Sequence, residues 1–190
     1  MKDQVRVLGI DDAPFNFYDD IVPIVGAVIR CPSYVEGIMT DEVEIDGTDA
    51  TRTVIEMVNG SRYKEQVRLI MIDGISLGGF NVVDIQDIFS STGIPVATIT
   101  RDKPDLAEMK AALRKHFDDW EQRLEILSRA KLVEVSTEHR PIHVDYEGIE
   151  FDELVRVIRG CTVLGALPEP LRISHLIATA MVRGESKGDA

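Results

Sequence analysis

The chain has 190 residues, 44% of them hydrophobic, and carries a formal net charge of −12. This length supports one sizeable core, so we expect a single domain over residues 1–183 and a mobile tail over residues 184–190. The acidic balance excludes a general electrostatic grip on nucleic acid, and no apolar run reaches the ~18 residues that cross a bilayer. We therefore expect a cytoplasmic protein that stays off the membrane and binds nucleic acid only through a local site.

Three apolar, β-branched stretches open the chain and predict an antiparallel meander. They span residues 5–10, 21–31 and 34–45. A turn at residues 46–49 and an apolar stripe from Val54 to Val58 predict the first helix. The continuous apolar run at residues 68–72 predicts a central strand that is covered on both faces.

The second half of the chain alternates between helical and extended patterns. After a glycine-rich loop at residues 75–79, the pattern predicts a helix over 82–89, a strand over 94–100 and one long amphipathic helix from Pro104 to Leu127. Short strands at 132–135 and 142–144 and helices at 151–161 and 169–182 follow. Cys31 and Cys161 lie in apolar contexts without metal-ligand spacing, so we predict two buried thiols.

This order of elements is that of the ribonuclease H-like fold, an α/β fold whose mixed five-stranded central sheet has the order 3-2-1-4-5 and is flanked by helices. In this fold the first and fourth strands are parallel neighbours, about 4.8 Å apart. Asp11 and Asp73 directly follow these strands, so we expect them to meet and to share one metal ion. A third carboxylate should come from the start of the first helix, where Asp46 is preferred over Asp49.

Several motifs resemble those of endonuclease V. They are Asp11 in VLGID, Tyr34 and Gly37 in SYVEG, Asp73 in LIMIDG, and LPEPLRISH at 167–175. A closer resemblance, which includes DGTDAT at 46–51 and DGISLGGFN at 73–81, is to an archaeal family called domain of unknown function ninety-nine, whose members are relatives of endonuclease V.

The resemblance implies an endonuclease V-like fold, a Mg²⁺ or Mn²⁺ cofactor and cleavage of nucleic acid near deaminated bases such as inosine. It assigns Asp11 and Asp73 to the metal, places Asp46 where the enzymes have another ligand, and makes Lys103 a candidate for contacting the scissile phosphate. Tyr34 matches the aromatic residue of a strand-separating wedge, although the prolines of that wedge are missing. A fourth metal ligand would be Glu147 or Asp145.

The candidate substrate-binding residues are Tyr34 and Gly37 of the wedge motif, and Gly78, Gly79 and Asn81, which precede a helix whose N-terminus can hold an anion. The enzymes follow their metal aspartate with Gly-His-Gly, whereas this chain has Gly74-Ile75-Ser76. His175 falls on the last helix, where we expect a packing or surface role.

Two functional hypotheses follow. The first is a divalent-metal-dependent phosphodiesterase that acts on modified or structured nucleic acid. The alternative is a catalytically reduced relative that serves as a nucleic-acid or nucleotide binding module, which the altered wedge, the missing histidine and the net charge favour. The oligomeric state is left open by the sequence.

Overall fold

Three antiparallel strands begin the structure, which is a computed structural model that describes residues 4–16 and 18–186. The strands are β1 (Arg6–Asp12), β2 (Ile21–Arg30) and β3 (Tyr34–Glu44). β1 pairs with β2, and β2 pairs with β3, so the predicted meander is confirmed. β3 forms one edge of the sheet.

Two parallel strands continue the sheet beyond β1. They are β4 (Leu69–Asp73) and β7 (Val96–Thr100), separated in the chain by the small hairpin of β5 (Ser76–Leu77) and β6 (Asn81–Val82). The connecting helices are α1 (Ala50–Asn59) and α2 (Ile85–Thr92). The predicted order 3-2-1-4-5 is confirmed, with β7 as the fifth of the predicted strands.

The rest of the chain widens the sheet and covers it. Its helices are α3 (Leu106–His116), α4 (Trp120–Arg129), α5 (Phe151–Cys161) and α6 (Glu169–Arg183), and its strands are β8 (Val133–Val135) and β9 (Ile142–Glu147). β9 pairs antiparallel with β7, and β8 pairs with β9, so the sheet has seven strands rather than five.

The prediction of one long helix from Pro104 to Leu127 was wrong, because the helix breaks at Phe117, whose backbone is extended. Arg123 explains the break. Its side chain donates to Asp119 Oδ1 at 2.9 Å and to the carbonyl oxygens of Gly47 at 2.9 Å and Phe80 at 2.8 Å. These bonds tie α4 to two loops, so the apolar stripe is divided between two helices.

The sheet separates two hydrophobic clusters, and alternate residues of each strand point to opposite clusters. Leu8 and Ile10 of β1 pack in the cluster that contains α1 and α2. Val7 packs in the cluster that contains α5 and the start of α6. Asp11 and Asp73 are in phase with Val7 and Leu69, so we place both carboxylates on the side of α6.

The prediction of two buried thiols was also wrong, because Cys31 and Cys161 form a disulfide with Cα atoms 5.0 Å apart. Packing of α5 on the sheet brings the end of α5 to the end of β2, and the separation of 130 residues hides this proximity in the sequence. No helix in residues 4–16 and 18–186 is long and apolar enough to cross a membrane. Of the predicted tail, Gly184 ends α6 in the left-handed conformation, and residues 187–190 lie outside the described residues.

Candidate metal centre

The candidate site begins where two parallel strands end side by side. Ile10 of β1 is in register with Ile72 of β4, and Asp11 and Asp73 are the next residues of their strands. Asp11 is only 4% exposed. The expected meeting of the two aspartates at one edge of the sheet is therefore confirmed.

Helix α6 adds a third side chain to this pair. His175 Nδ1 lies 2.8 Å from Asp11 Oδ2. Among the described residues, Asp11, Asp73 and His175 are the one group of at least three acidic, histidine or cysteine side chains with ligand atoms all within 4.8 Å of one another. The expected packing or surface role of His175 therefore does not describe its position.

The first turn of α6 explains why His175 reaches Asp11. A Cβ atom on Gly9 would lie 2.2 Å from the backbone of Pro170, so only glycine lets the helix approach β1 this closely. From Pro170 to His175 the helix rises about 7.5 Å, and from Gly9 to Asp11 the strand rises about 6.6 Å. Because the two distances are nearly equal, the His175 imidazole lies next to the Asp11 carboxylate.

Burial of the carboxyl groups raises the pKa values of the aspartates in the site. The pKa of Asp73 is raised to about 7, because the group is buried and faces the Asp11 carboxylate, although Arg101 and His175 act in the opposite direction. Burial also raises the pKa of Asp11 and of Asp12. The pKa of His175 is raised by its hydrogen bond to Asp11, which favours an imidazolium that donates to the carboxylate.

An open cleft of about 850 Å³ gives access to the three side chains. Its walls come from the end of β1 and the loop that follows, from α6, and from Arg101 directly after β7. Polar and charged residues of the walls are Asp11, Asp12, Asp73, Arg101, His175, Thr179, Arg183 and Glu185. The cleft therefore combines a compact acidic centre with cationic side chains.

Asp46 and Asp49, the candidates for a third carboxylate, hold the neighbouring hairpin. Asp46 Oδ1 accepts a hydrogen bond from the backbone N–H of Phe80 at 2.8 Å, and Asp49 Oδ1 accepts one from the Asn81 side chain at 2.6 Å. Asp49 caps α1 by position but makes no side-chain capping bond. The structure does not bring either carboxylate into the group of Asp11, Asp73 and His175.

The glycines of the predicted anion loop serve the same hairpin. Gly78 donates its N–H to Asp12 Oδ2 at 2.7 Å and accepts at its carbonyl from the N–H of Asp46, also at 2.7 Å. A Cβ atom on Gly79 would lie 2.4 Å from Asp46 Oδ1, and both glycines have positive φ. Asn81 is fully buried between β3 and α1, where it bonds to Glu44 and Ala50.

Three further candidates lie away from the centre. Glu147 pairs with Val96 at the start of β7, roughly 10 Å along the strand direction from the level of Asp73. Lys103 borders a separate cavity with Leu106 and Lys131. Arg101, in contrast, lines the cleft of the centre and lowers the pKa of Asp73, as His175 also does. The alternative to Glu147, Asp145, accepts from the N–H of Lys131 at 3.0 Å.

The predicted wedge lies at the opposite end of the sheet. Tyr34 pairs with Arg30, which pairs with Arg6, five residues before Asp11 and therefore roughly 17 Å away along the strand. A Cβ atom on Gly37 would lie 2.4 Å from the hydroxyl of Tyr63, so this glycine makes room for an aromatic ring.

The sequence pattern contained the residue that completes the centre but did not assign it. His175 ended the LPEPLRISH motif. A helical pattern gives the face on which a histidine lies, but not which strand the helix crosses. The cue was Gly9, a glycine inside a strand, which indicates close approach of another backbone.

The seven-stranded sheet with its flanking helices has the ribonuclease H-like fold that endonuclease V structures also have. The solved structures that share this fold include human ENDOV, at a TM-score of 0.64 and 15% identity over 96% of this chain and 86% of that one. A structure of Ciona intestinalis endonuclease V in complex with DNA that contains an inosine has a TM-score of 0.56 and 12% identity over 90% of this chain and 82% of that one.

The chain belongs to the endonuclease dU family, whose model matches residues 3–182. It is 42% identical over its full length to an archaeal UPF0215 protein of Methanothermobacter thermautotrophicus, 94% of which is covered. A UPF0215 protein of Pyrococcus horikoshii is also 42% identical, with 100% of this chain and 98% of the relative covered. A protein of unknown function from Archaeoglobus fulgidus has a solved structure with a TM-score of 0.86 and 38% identity over 95% of this chain and 99% of that one.

Proposed function

We propose that this protein is a divalent-metal-dependent endonuclease that acts on nucleic acid containing a deaminated base. The observation that carries the proposal is the group of Asp11, Asp73 and His175, with ligand atoms within 4.8 Å of one another at the end of adjacent parallel strands. The family and the endonuclease V fold support a nuclease. We also infer that domain of unknown function ninety-nine and the endonuclease dU family are one group, since both likenesses span nearly the whole chain.

The donor set fits Mg²⁺ or Mn²⁺. Two carboxylates offer the hard oxygen ligands that these ions prefer, and the open cleft leaves room for water and for a phosphate oxygen. When bound, the ion supplies Lewis-acid stabilisation of a phosphoryl centre and a water molecule of lowered pKa. The raised pKa values of Asp11 and Asp73 support this assignment, because a cation would relieve the repulsion between the two buried carboxylates.

The remaining residues of the site would orient the centre and the substrate. The imidazole of His175 fixes the orientation of Asp11 and, in its neutral form, would offer a further nitrogen ligand. Arg101 would meet the phosphate on the cleft side of Asp73. Asp12 and Asp46 would keep the hairpin of residues 76–82 against the site through their bonds to Gly78 and Phe80.

Two deaminated bases are the first substrates to test. The name of the family points to deoxyuridine. The Ciona intestinalis endonuclease V was crystallised with DNA that contains an inosine. We propose that both are recognised in DNA or RNA at a local site, because the net charge of −12 disfavours general binding along a nucleic-acid backbone. We also propose that the protein acts in the cytoplasm.

The test is cleavage of matched labelled oligonucleotides with deoxyuridine, thymidine, inosine or adenosine at one position, with Mg²⁺ or Mn²⁺. We expect cleavage near the deaminated base, and loss of at least a hundredfold in rate for Asp11→Asn and for Asp73→Asn. Cleavage that survives both substitutions together would exclude this centre. Tight binding of an oligonucleotide without cleavage by any of these ions would instead favour the binding-module alternative.

A further inference from the structure

Helix α6 continues beyond His175 with two polar side chains on the same face. Thr179 and Arg183 follow at intervals of four residues, which places the three side chains one above the other along the helix. Both residues line the same cleft as Asp11 and Asp73. A polar stripe of α6 therefore leads from the candidate metal centre along the wall of the cleft.

The hydroxyl group of Thr179 is in an unusual state for a helical threonine. The residue is 5% exposed, and its Oγ1 atom is buried without a hydrogen-bond partner in the described part of the chain. Helical hydroxyl groups usually bond to the carbonyl group one turn earlier, as Ser174 does to Pro170 at 3.0 Å. Thr179 lines the cleft and carries a buried hydroxyl group without a partner, and such a group points to a ligand that supplies one.

The charges of the cleft indicate what that ligand is. Arg183 lines the cleft in the last turn of α6, and Arg101 lines it after β7, so two guanidinium groups accompany the carboxylates. Guanidinium and hydroxyl groups together are typical of phosphate recognition. A step of four residues along a helix is about 6 Å, similar to the spacing of consecutive phosphates in an extended strand.

We infer that Thr179 and Arg183 form a binding subsite for the phosphate next to the one at Asp11 and Asp73. The Thr179 hydroxyl donates to a phosphate oxygen, and the Arg183 guanidinium neutralises the phosphate charge. Glu185 lines the same cleft and opposes this attraction, so its removal should strengthen binding. The inference rests on the proposed function, because it assumes that a nucleic-acid strand occupies the cleft.

The experiment measures binding of a labelled single-stranded 15-mer with one deoxyuridine by fluorescence anisotropy, in EDTA so that the strand stays intact. We expect Arg183→Gln to weaken binding about tenfold to a hundredfold and Thr179→Val about threefold to tenfold. Thr179→Ser, which keeps the hydroxyl group, should bind as the unaltered protein does. In a salt series, the slope of log affinity against log salt should fall by about 0.7 for Arg183→Gln, as for one lost phosphate contact of a single strand.

Two controls separate a local subsite from other effects. Arg52→Gln changes an exposed arginine of α1, on the other side of the sheet, and should leave affinity and salt slope unchanged. Calorimetric titration with Mn²⁺ alone should give the same affinity for Thr179→Val, Arg183→Gln and the unaltered protein, which shows that the metal centre is intact.

The outcomes distinguish the subsite from the proposed function. If the unaltered protein binds and cleaves but Thr179→Val and Arg183→Gln keep its affinity and salt slope, the subsite is excluded and the proposed function stands. An unaltered protein that neither binds nor cleaves any of the oligonucleotides would overturn both.

Discussion

The carboxyl group of Asp73 combines burial with a second carboxyl group beside it, and its pKa is raised to about 7. The ordinary value of an unfolded aspartate is about 3.9. The fold therefore favours the protonated form, so the contribution of Asp73 to stability is full below about pH 4 and is lost as pH rises towards and through 7. Without metal, the protein should be less stable at pH 8 than at pH 5 on this account.

Asp73→Asn should reduce this pH dependence, because the amide stays neutral. We expect a gain of roughly 1 to 3 kcal/mol over the unaltered protein at pH 8 in EDTA, and a smaller difference at pH 5. Thermal melts from pH 5 to pH 8 measure it, with the exposed Glu138→Gln as a control that should leave the profile unchanged. If Asp73→Asn melts with the same pH profile as the unaltered protein, burial does not raise the pKa of this group as proposed.

His175 should contribute to metal affinity through its contact with Asp11. His175→Ala removes both a candidate nitrogen ligand and the bond that orients the carboxylate, so we expect the dissociation constant for Mn²⁺ to rise at least about tenfold. Calorimetric titration measures this constant, and His116→Ala on the exposed end of α3 is the matched control. Equal Mn²⁺ affinity of His175→Ala and the unaltered protein would remove His175 from the centre.

At the scale of single residues, the sequence predicted the carboxylates better than their partners. Asp11 and Asp73 were predictable because each ends an apolar strand, and strand order alone makes them neighbours. His175 lies 164 residues from Asp11, and its position depends on how α6 crosses the sheet. No local pattern encodes that crossing, so the imidazole could be noticed in a motif but not placed.

At the scale of elements, the close packing of α6 against β1 at Gly9 sets the geometry of the centre. Gly9→Ala would place a methyl group 2.2 Å from backbone atoms of Pro170, and β1 is paired on both sides and cannot move away. We expect a loss of about 3 kcal/mol or more in the free energy of unfolding, measured by urea denaturation, together with weaker Mn²⁺ binding.

A second glycine provides the control for this prediction. Gly160 lies in α5, and a Cβ atom there would meet nothing within 4 Å. Gly160→Ala should therefore leave Mn²⁺ binding unchanged and stabilise the protein by about 0.5 to 1 kcal/mol. A stable Gly9→Ala variant with full Mn²⁺ affinity would contradict the proposed role of the close packing of α6 against β1.

The order of the elements was predictable from the sequence, whereas the ends of the helices and the register of the strands were not. Hydrophobic periodicity and short connections sufficed for the meander and the strand order. The same periodicity runs through Phe117, where the contacts of Arg123 with distant loops divide the predicted helix. Glu147 and Tyr34 were misplaced relative to the centre for a related reason, because strand register decides which end of a strand a residue occupies.

At the scale of the whole molecule, the disulfide links two parts of the chain that the sheet alone does not connect. Cys31 follows β2, and Cys161 ends α5, which packs on the sheet. The two cysteines are 130 residues apart in the sequence. The link is on the side of the sheet that also carries α6, since both cysteines pack in the cluster of Leu171. It therefore holds the layer that positions His175.

Loss of this disulfide should destabilise the whole fold while leaving the centre functional. A closed loop of 130 residues corresponds to about 5 kcal/mol in the chain-entropy model, and we expect roughly 3 to 5 kcal/mol in practice. Chemical denaturation of the double variant Cys31→Ser, Cys161→Ser, with and without reductant, measures this loss, and Mn²⁺ affinity below the transition should not change. The unaltered protein in reductant should match the variant to within about 1 kcal/mol. If reductant leaves the stability of the unaltered protein unchanged, the two cysteines are not bonded in solution, and the layer of α5 and α6 is held by apolar packing alone.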